Sequence, residues 1–330
     1  MIRRFVLSAI SALVAMCVVH SGANAQGGSF PNRPIKLITL TSPGGSLDTV
    51  ARTIARYLPD HIAGAQVVVE NRVGAGGNIG ADAVAKSPSD GYTIGMVTIS
   101  THGINPTLYG AKMPFDAVKD FAPITPAVQN NNIITLHPSV PAKNVAEFVA
   151  YLKANPDKIS FGSAGTGTSQ HLAGEMFKVL TGTRMTHVPY KGAALAVPDL
   201  LSGTIQVMIP SSLEVGEHIK TGKLRGIAMT GKQRSPQFPD ILPVAEQGFP
   251  DFDVVTWFGV VAPAGTPPEL VQRYNTAIRA ILSMPEVKER LAAGGFDTVT
   301  DKSPEQFAEF IKAEIAKWAP IVKESGAKIE

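Results

Sequence analysis

The chain has 330 residues, 44% of them hydrophobic, with 30 Lys and Arg set against 27 Asp and Glu. That near-balance, with no run of lysines or arginines, excludes the clustered basic surface that nucleic acid requires. One cysteine, Cys17, excludes a disulfide framework and a cysteine metal centre.

The N-terminus reads as an export signal over residues 1–25. Arg3 and Arg4 precede an apolar run over residues 5–19, and Ala23-Asn24-Ala25 is a small-x-small site with cleavage expected after Ala25. The run is shorter than the ~20 apolar residues that span a bilayer, so a cleaved signal and a periplasmic location are expected rather than an anchor. Cleavage removes Cys17 and leaves the mature chain close to neutral. The remaining length favours two domains.

Strand-like and helix-like segments then alternate. Residues 35–40 form a short apolar strand, followed by a helix whose stripe is Leu47, Val50, Ala51, Ile54 and Leu58, with Arg52 and Arg56 opposite. A strand is expected over 66–70, a helix through Ala81 and Val84, and a third strand over 92–97. A βαβαβ series of this kind implies a parallel sheet, with ligands gathering outside the carboxyl ends of its strands.

Beyond a stretch punctuated by Pro114, Pro123 and Pro126, a second α/β series begins. Strands are expected over 133–136, 159–161, 185–188, 205–209 and 224–229, and helices over 145–154, 170–180, 193–201 and 213–220. Gly182 ends the second of these helices as a C-cap would. Residues 236–250, rich in proline, read as an extended connection back to a strand over 254–262. Helices over 268–282, 285–292 and 304–323 each open on a proline. The expected architecture is α/β and two-lobed. Residues 26–125 plus 250–330 make the first lobe and 126–249 the second, with hinge crossovers near 125 and 235–250.

Two glycine-rich turns stand between a strand and a helix: Ser42-Pro43-Gly44-Gly45-Ser46, and the run from Gly162 to Ser169. A helix start leaves backbone N–H groups unpartnered and carries about half a positive charge, so a glycine turn there lets an anion approach. Two such turns suggest one anionic ligand gripped from two sides. Pro43, Gly44 and Gly45 either cradle it or simply make a tight turn. Asp48 would repel an anion, so it caps its own loop or meets an amino or hydroxyl group on the ligand. Gly165, Thr166, Thr168 and Ser169 offer a second set of donors, and His171 lies on the first turn after them, facing the cleft or packed. Thr98, Ser100 and His102 follow the third strand, and Ser211 follows the strand ending at 209. Lys191 reads chiefly as a solvated lysine, and Gly74 to Gly80 as glycines that let a helix approach the sheet.

Enzyme signatures are missing from the sequence. It has no G-x-S-x-G elbow, phosphate loop, H-E-x-x-H or calcium loop, and its histidines lack metal-ligand spacing. Five motifs occur in one order: Pro43-Gly44-Gly45-x-x-Asp48-x-x-Ala51-Arg52, Glu70-Asn71-Arg72-x-Gly74-Ala75-Gly76-Gly77-x-Ile79-Gly80, Asp90-Gly91-Tyr92-Thr93, Val188-Pro189-Tyr190-Lys191-Gly192 and Ala262-Pro263-x-Gly265-Thr266-Pro267. In these the mature chain resembles the Bug (TctC-like) family of periplasmic solute receptors serving tripartite tricarboxylate transporters. Residues 241–248, where members often carry a Pro-Thr pair, depart from the pattern. The resemblance implies a type II periplasmic-binding-protein-like fold with the ligand cleft between the lobes. It implies a small carboxylate ligand (di- or tricarboxylate, amino dicarboxylate or aromatic acid) held by loop backbone and ordered water rather than by arginine. The expectation is therefore a monomeric binding protein, not an enzyme, with no cofactor or metal, whose partner is a membrane transporter. A sensory partner of a signalling system and a periplasmic enzyme on anionic substrates are the competing readings.

Overall fold

A computed structural model describes residues 30–329; the expected export signal and Cys17 lie outside them. The first elements are β1 (Ile35–Thr39), α1 (Ser46–His61), β2 (Val67–Asn71), α2 (Asn78–Ala85), β3 (Thr93–Thr98), α3 (Asn105–Tyr109) and β4 (Phe121–Asn131). The second series follows as β5 (Ile133–Leu136), α4 (Val145–Ala154), β6 (Ser160–Ser163), α5 (Ser169–Thr181), β7 (Thr186–Pro189), α6 (Ala193–Ser202), β8 (Val207–Met208), α7 (Ser212–Lys220) and β9 (Arg225–Met229). The chain returns through β10 (Val255–Pro263), α8 (Pro268–Ser283), α9 (Pro285–Ala293), β11 (Phe296–Thr298) and α10 (Pro304–Ser325).

These strands make two sheets, ordered β11-β4-β10-β3-β1-β2 and β7-β6-β8-β5-β9. The expected apolar stripe of α1 is buried, with Val50, Ala51, Ile54 and Leu58 all inaccessible. The helix α5 opens on Thr168, whose side chain accepts from the His171 amide, and closes on left-handed Gly182. Ser303 and Gln306 form a capping box at the start of α10, which buries Phe307 and Trp318. One hydrophobic cluster runs from Ile35 through Phe148 to Val322 and joins the two sheets; smaller clusters lie under α6 and around Ile133.

The sheets differ from the sequence expectation in direction. Pairing of β1 with β2 and β3 is parallel, but β10 runs antiparallel to both β3 and β4, and β5 antiparallel to β8 and β9. β10 and β5 are strands by which the chain enters one sheet from the other, so they arrive from the opposite end; the edge strand β11 also runs antiparallel to β4. The crossover expected near 125 falls inside β4, which continues to Asn131. Its prolines concealed it: Pro123 and Pro126 lie opposite Val261 and Gly259, where the ladder shifts register, so strand pairing accommodates the missing N–H groups.

Candidate functional site

A cleft of about 450 Å³ lies between the sheets, walled on one side by the α1 and α2 openings and the end of β3, and on the other by the α5 opening and residues 189–193 and 211–214. That volume suits a small-molecule site. Among its lining residues Lys191 is the single base and Glu214 the single acid, and no arginine is present.

The two halves touch around its rim. Ser46 at the start of α1 places its hydroxyl 2.8 Å from that of Ser211 at the start of α7. Thr256 Oγ1 of β10 donates to Ser169 Oγ of α5 at 3.0 Å, which leaves the Ser169 proton to point elsewhere. A Cβ on Gly76 would stand 2.4 Å from the Thr166 carbonyl oxygen across the cleft.

The α5 turn offers the most open donors. An α-helix leaves the first amides without intrahelical partners, here Ser169 and Gln170, and both residues line the cleft. Side-chain contacts hold the loop from behind. Thr168 Oγ1 donates to the Gly165 carbonyl at 2.7 Å, the Gly167 amide donates to His171 Nδ1 at 3.2 Å, and Ser163 Oγ stands 2.7 Å from His187 Nε2. The His171 and His187 rings stack with centroids 3.9 Å apart. Burial, with the neighbouring His187 and Lys178, brings the His171 pKa down to about 3; burial and Lys178 bring His187 down to about 4. Both imidazoles are neutral at pH 7, and His171 supports the loop as an acceptor.

The α1 turn is different. The Gly44 amide donates to Asp48 Oδ2 at 2.9 Å, where Arg52 Nε also donates at 2.8 Å, while Asn71 Nδ2 donates to Oδ1 at 2.8 Å. Burial alone would raise the Asp48 pKa; hydrogen bonds from Arg52, the Gly44 amide and Asn71 together hold it below the usual carboxylate value. The Ser46 amide and hydroxyl both donate to Glu214. The Gly44 amide and both Ser46 donors of this helix opening are thus met by the protein's own carboxylates, while the Leu47 and Asp48 amides have no acceptor among the described residues.

Of the residues singled out in the sequence, Gly45, Thr98, Ser100, Gly165, Thr166, Thr168, Ser169 and Ser211 line the cleft; Pro43 and Gly44 are exposed outside its lining, and Asp48 and His171 are buried behind it. A Cβ on Gly44 would meet no atom of the chain within 4 Å, so within the protein its positive φ of 83° serves the turn. His102 is fully buried against Phe115 and Phe121. Sequence reasoning did not select Thr41, Asn130, Asn132, Glu214, Thr256 or Phe258, all of which line the cleft, and it read Ser42, which also does, only as part of the glycine turn. Thr41 Oγ1, Ser42 Oγ and Asn130 Oδ1 are buried there without a partner in the chain, as expected of atoms that serve a bound molecule or water. The run Asn130-Asn131-Asn132 at the end of an apolar strand was the available signal for its part of the wall.

Two α/β lobes with a cleft between them, lined by amides, hydroxyls and apolar side chains, define a binding-protein fold of the periplasmic type. The model of the tripartite tricarboxylate transporter family receptor matches residues 50–327, and the chain belongs to that family. It is 36% identical to protein BugT of Bordetella pertussis over 330 residues, covering 98% of this chain and 99% of that one. Among solved structures, R. palustris Rpa4515 with adipate superposes with a TM-score of 0.86 at 34% identity, covering 91% of this chain and all 100% of that one. MatC from Rhodopseudomonas palustris with bound malate superposes at 0.84 with 28% identity, covering 89% and 100%. Among the described residues no group of three or more His, Cys, Asp or Glu could hold a metal ion.

Proposed function

We propose that this protein is a periplasmic receptor that captures a small carboxylate without altering it and hands it to a membrane transporter of the tripartite tricarboxylate type. The observation that carries this reading is the α5 opening: unpartnered amides at Ser169 and Gln170 and the free Ser169 hydroxyl proton, facing a cleft with no arginine. Hydrogen bonds to a charged group contribute roughly 1.5–3 kcal/mol each, so three of them with the helix dipole support micromolar binding after association costs. The family and the solutes named with its solved members, adipate and malate, agree with a carboxylate. The export signal read in residues 1–25 agrees with the periplasm.

In this reading each sheet is the frame of one lobe of a monomer. The hinge is Asn132, where β4 gives way to β5, and the return through residues 230–254. Binding shifts the lobe pair toward the closed form. A melting-temperature screen over mono- and dicarboxylates tests it. A ligand at 100 times its Kd stabilises by about 2.7 kcal/mol, a rise of several degrees. No rise with any acid at millimolar concentration would contradict the proposal.

A further inference from the structure

Glu214 occupies the position at the α1 opening where a ligand anion would otherwise sit. It is the third residue of α7 and closes a capping box with Ser211, so Oε2 accepts from the Ser211 amide at 2.8 Å and from the Ser211 hydroxyl. Its Oε1 reaches across the cleft to the Ser46 hydroxyl and, at 3.4 Å, the Ser46 amide. A carboxylate offers about four acceptor positions, and all of them are taken. One fixed negative charge therefore answers the positive ends of two helices, α1 and α7.

Two consequences bear on the ligand. The α5 opening faces no side-chain carboxylate, so a single ligand carboxylate has its place there. A second carboxylate reaching toward α1 would meet the like charge of Glu214, with the Ser46 amide and hydroxyl already engaged and no side-chain cation beside it, since the lone cation of the lining, Lys191, lies on an exposed loop where solvent screens it. The wall beyond is apolar, with Leu40, Leu47, Ile99 and Phe258.

We propose that Glu214 is a specificity-determining residue that restricts the cleft to monocarboxylates with an uncharged far end and disfavours dicarboxylates of the same length. The inference rests on the carboxylate-receptor reading and narrows it. Calorimetric titration of the wild-type protein and of Glu214→Gln at pH 7.5 with hexanoate and adipate, and with benzoate and terephthalate, tests it. Glutamine preserves the capping box, so the variant is expected to melt within a few degrees of wild type. Wild type should prefer each monocarboxylate over its matched dicarboxylate by tenfold or more, and Glu214→Gln should move that ratio at least tenfold toward the dicarboxylate. Equal or tighter dicarboxylate binding by wild type, or a ratio that Glu214→Gln leaves unchanged, would overturn the role of Glu214 while leaving the receptor reading in place. Failure of both proteins to bind any of the four acids would overturn this inference, whereas the receptor reading falls only if no acid of the wider screen raises the melting temperature.

Discussion

Gly76→Ala is expected to weaken carboxylate binding by about a hundredfold while costing only about 1–2 kcal/mol of folding stability. The residue has φ of 62°, and an added Cβ would lie 2.4 Å from the Thr166 carbonyl oxygen. That oxygen belongs to backbone on the opposite lobe, so no rotamer relieves the clash and the lobes must separate by roughly 1 Å to reach ordinary contact. The left-handed conformation itself costs an alanine about 1–2 kcal/mol. An extra ångström lengthens a 2.9 Å hydrogen bond past its useful range. Losing one or two bonds from the far lobe to a carboxylate forfeits about 3 kcal/mol, or roughly a hundredfold in Kd. Gly222→Ala is the matched control, because Gly222 has φ of 72° in a turn with nothing within 4 Å of the added carbon. It should show a similar loss of stability and no loss of affinity. Calorimetric titration and urea unfolding of both variants read the two quantities separately. An unchanged Kd for Gly76→Ala would mean that the lobes do not meet at Thr166 when ligand is bound.

Mild acid should destabilise the protein through its buried histidines. Burial brings His102 down to about 3, and burial with nearby charge brings His171 to about 3 and His187 to about 4, from 6.5 in each case. Below pH 6.5 the unfolded chain takes up protons that the folded one refuses, so stability falls as pH falls and is fully present only above 6.5. Each unit of pH within this window removes about 1.4 kcal/mol per histidine. Counting only the two most buried, His102 and His171, the loss from pH 7.5 to 5 is about 4 kcal/mol. That is a large share of the 5–15 kcal/mol typical of a domain. Asp48, held below the usual carboxylate value, adds a loss of the same sign only at lower pH. Urea unfolding between pH 7.5 and 5 checks the slope. His102→Leu, which keeps an apolar group against Phe115 and Phe121, should flatten it by about one proton. A midpoint that stays level over that range would show that these imidazoles ionise freely in the folded state.

The periodicity of apolar residues located almost every helix, and in α1 the stripe is also the buried face; in α5 it is not, because the expected stripe of Leu172, Met176, Val179 and Leu180 leaves Val179 and Leu180 exposed while Ala173 and Phe177 are buried instead. It did not locate β4, whose prolines read as breaks until the facing shifts in β10 are known, nor the three-residue β11. The α5 turn was legible for a local reason: its glycines, hydroxyls and helix start are contiguous, and local chemistry places them. The far wall was not. Asn130, Thr256 and Phe258 meet across β4 and β10, elements more than a hundred residues apart, and spacing along the chain carries no trace of that pairing. Glu214 escaped notice for a related reason. Its capping box can be read from Ser211 and Glu214 alone, but its reach to Ser46 depends on how the two lobes face each other.

In the proposed receptor, main-chain amides at the start of α5 hold the solute's carboxylate. A crystal structure of the protein grown with the tightest-binding carboxylate tests it directly. Carboxylate oxygens are expected within hydrogen-bond distance of the Ser169 and Gln170 amides, either directly or through one water. A carboxylate seated on Lys191 or at the α1 opening, with the α5 amides facing only solvent, would contradict it.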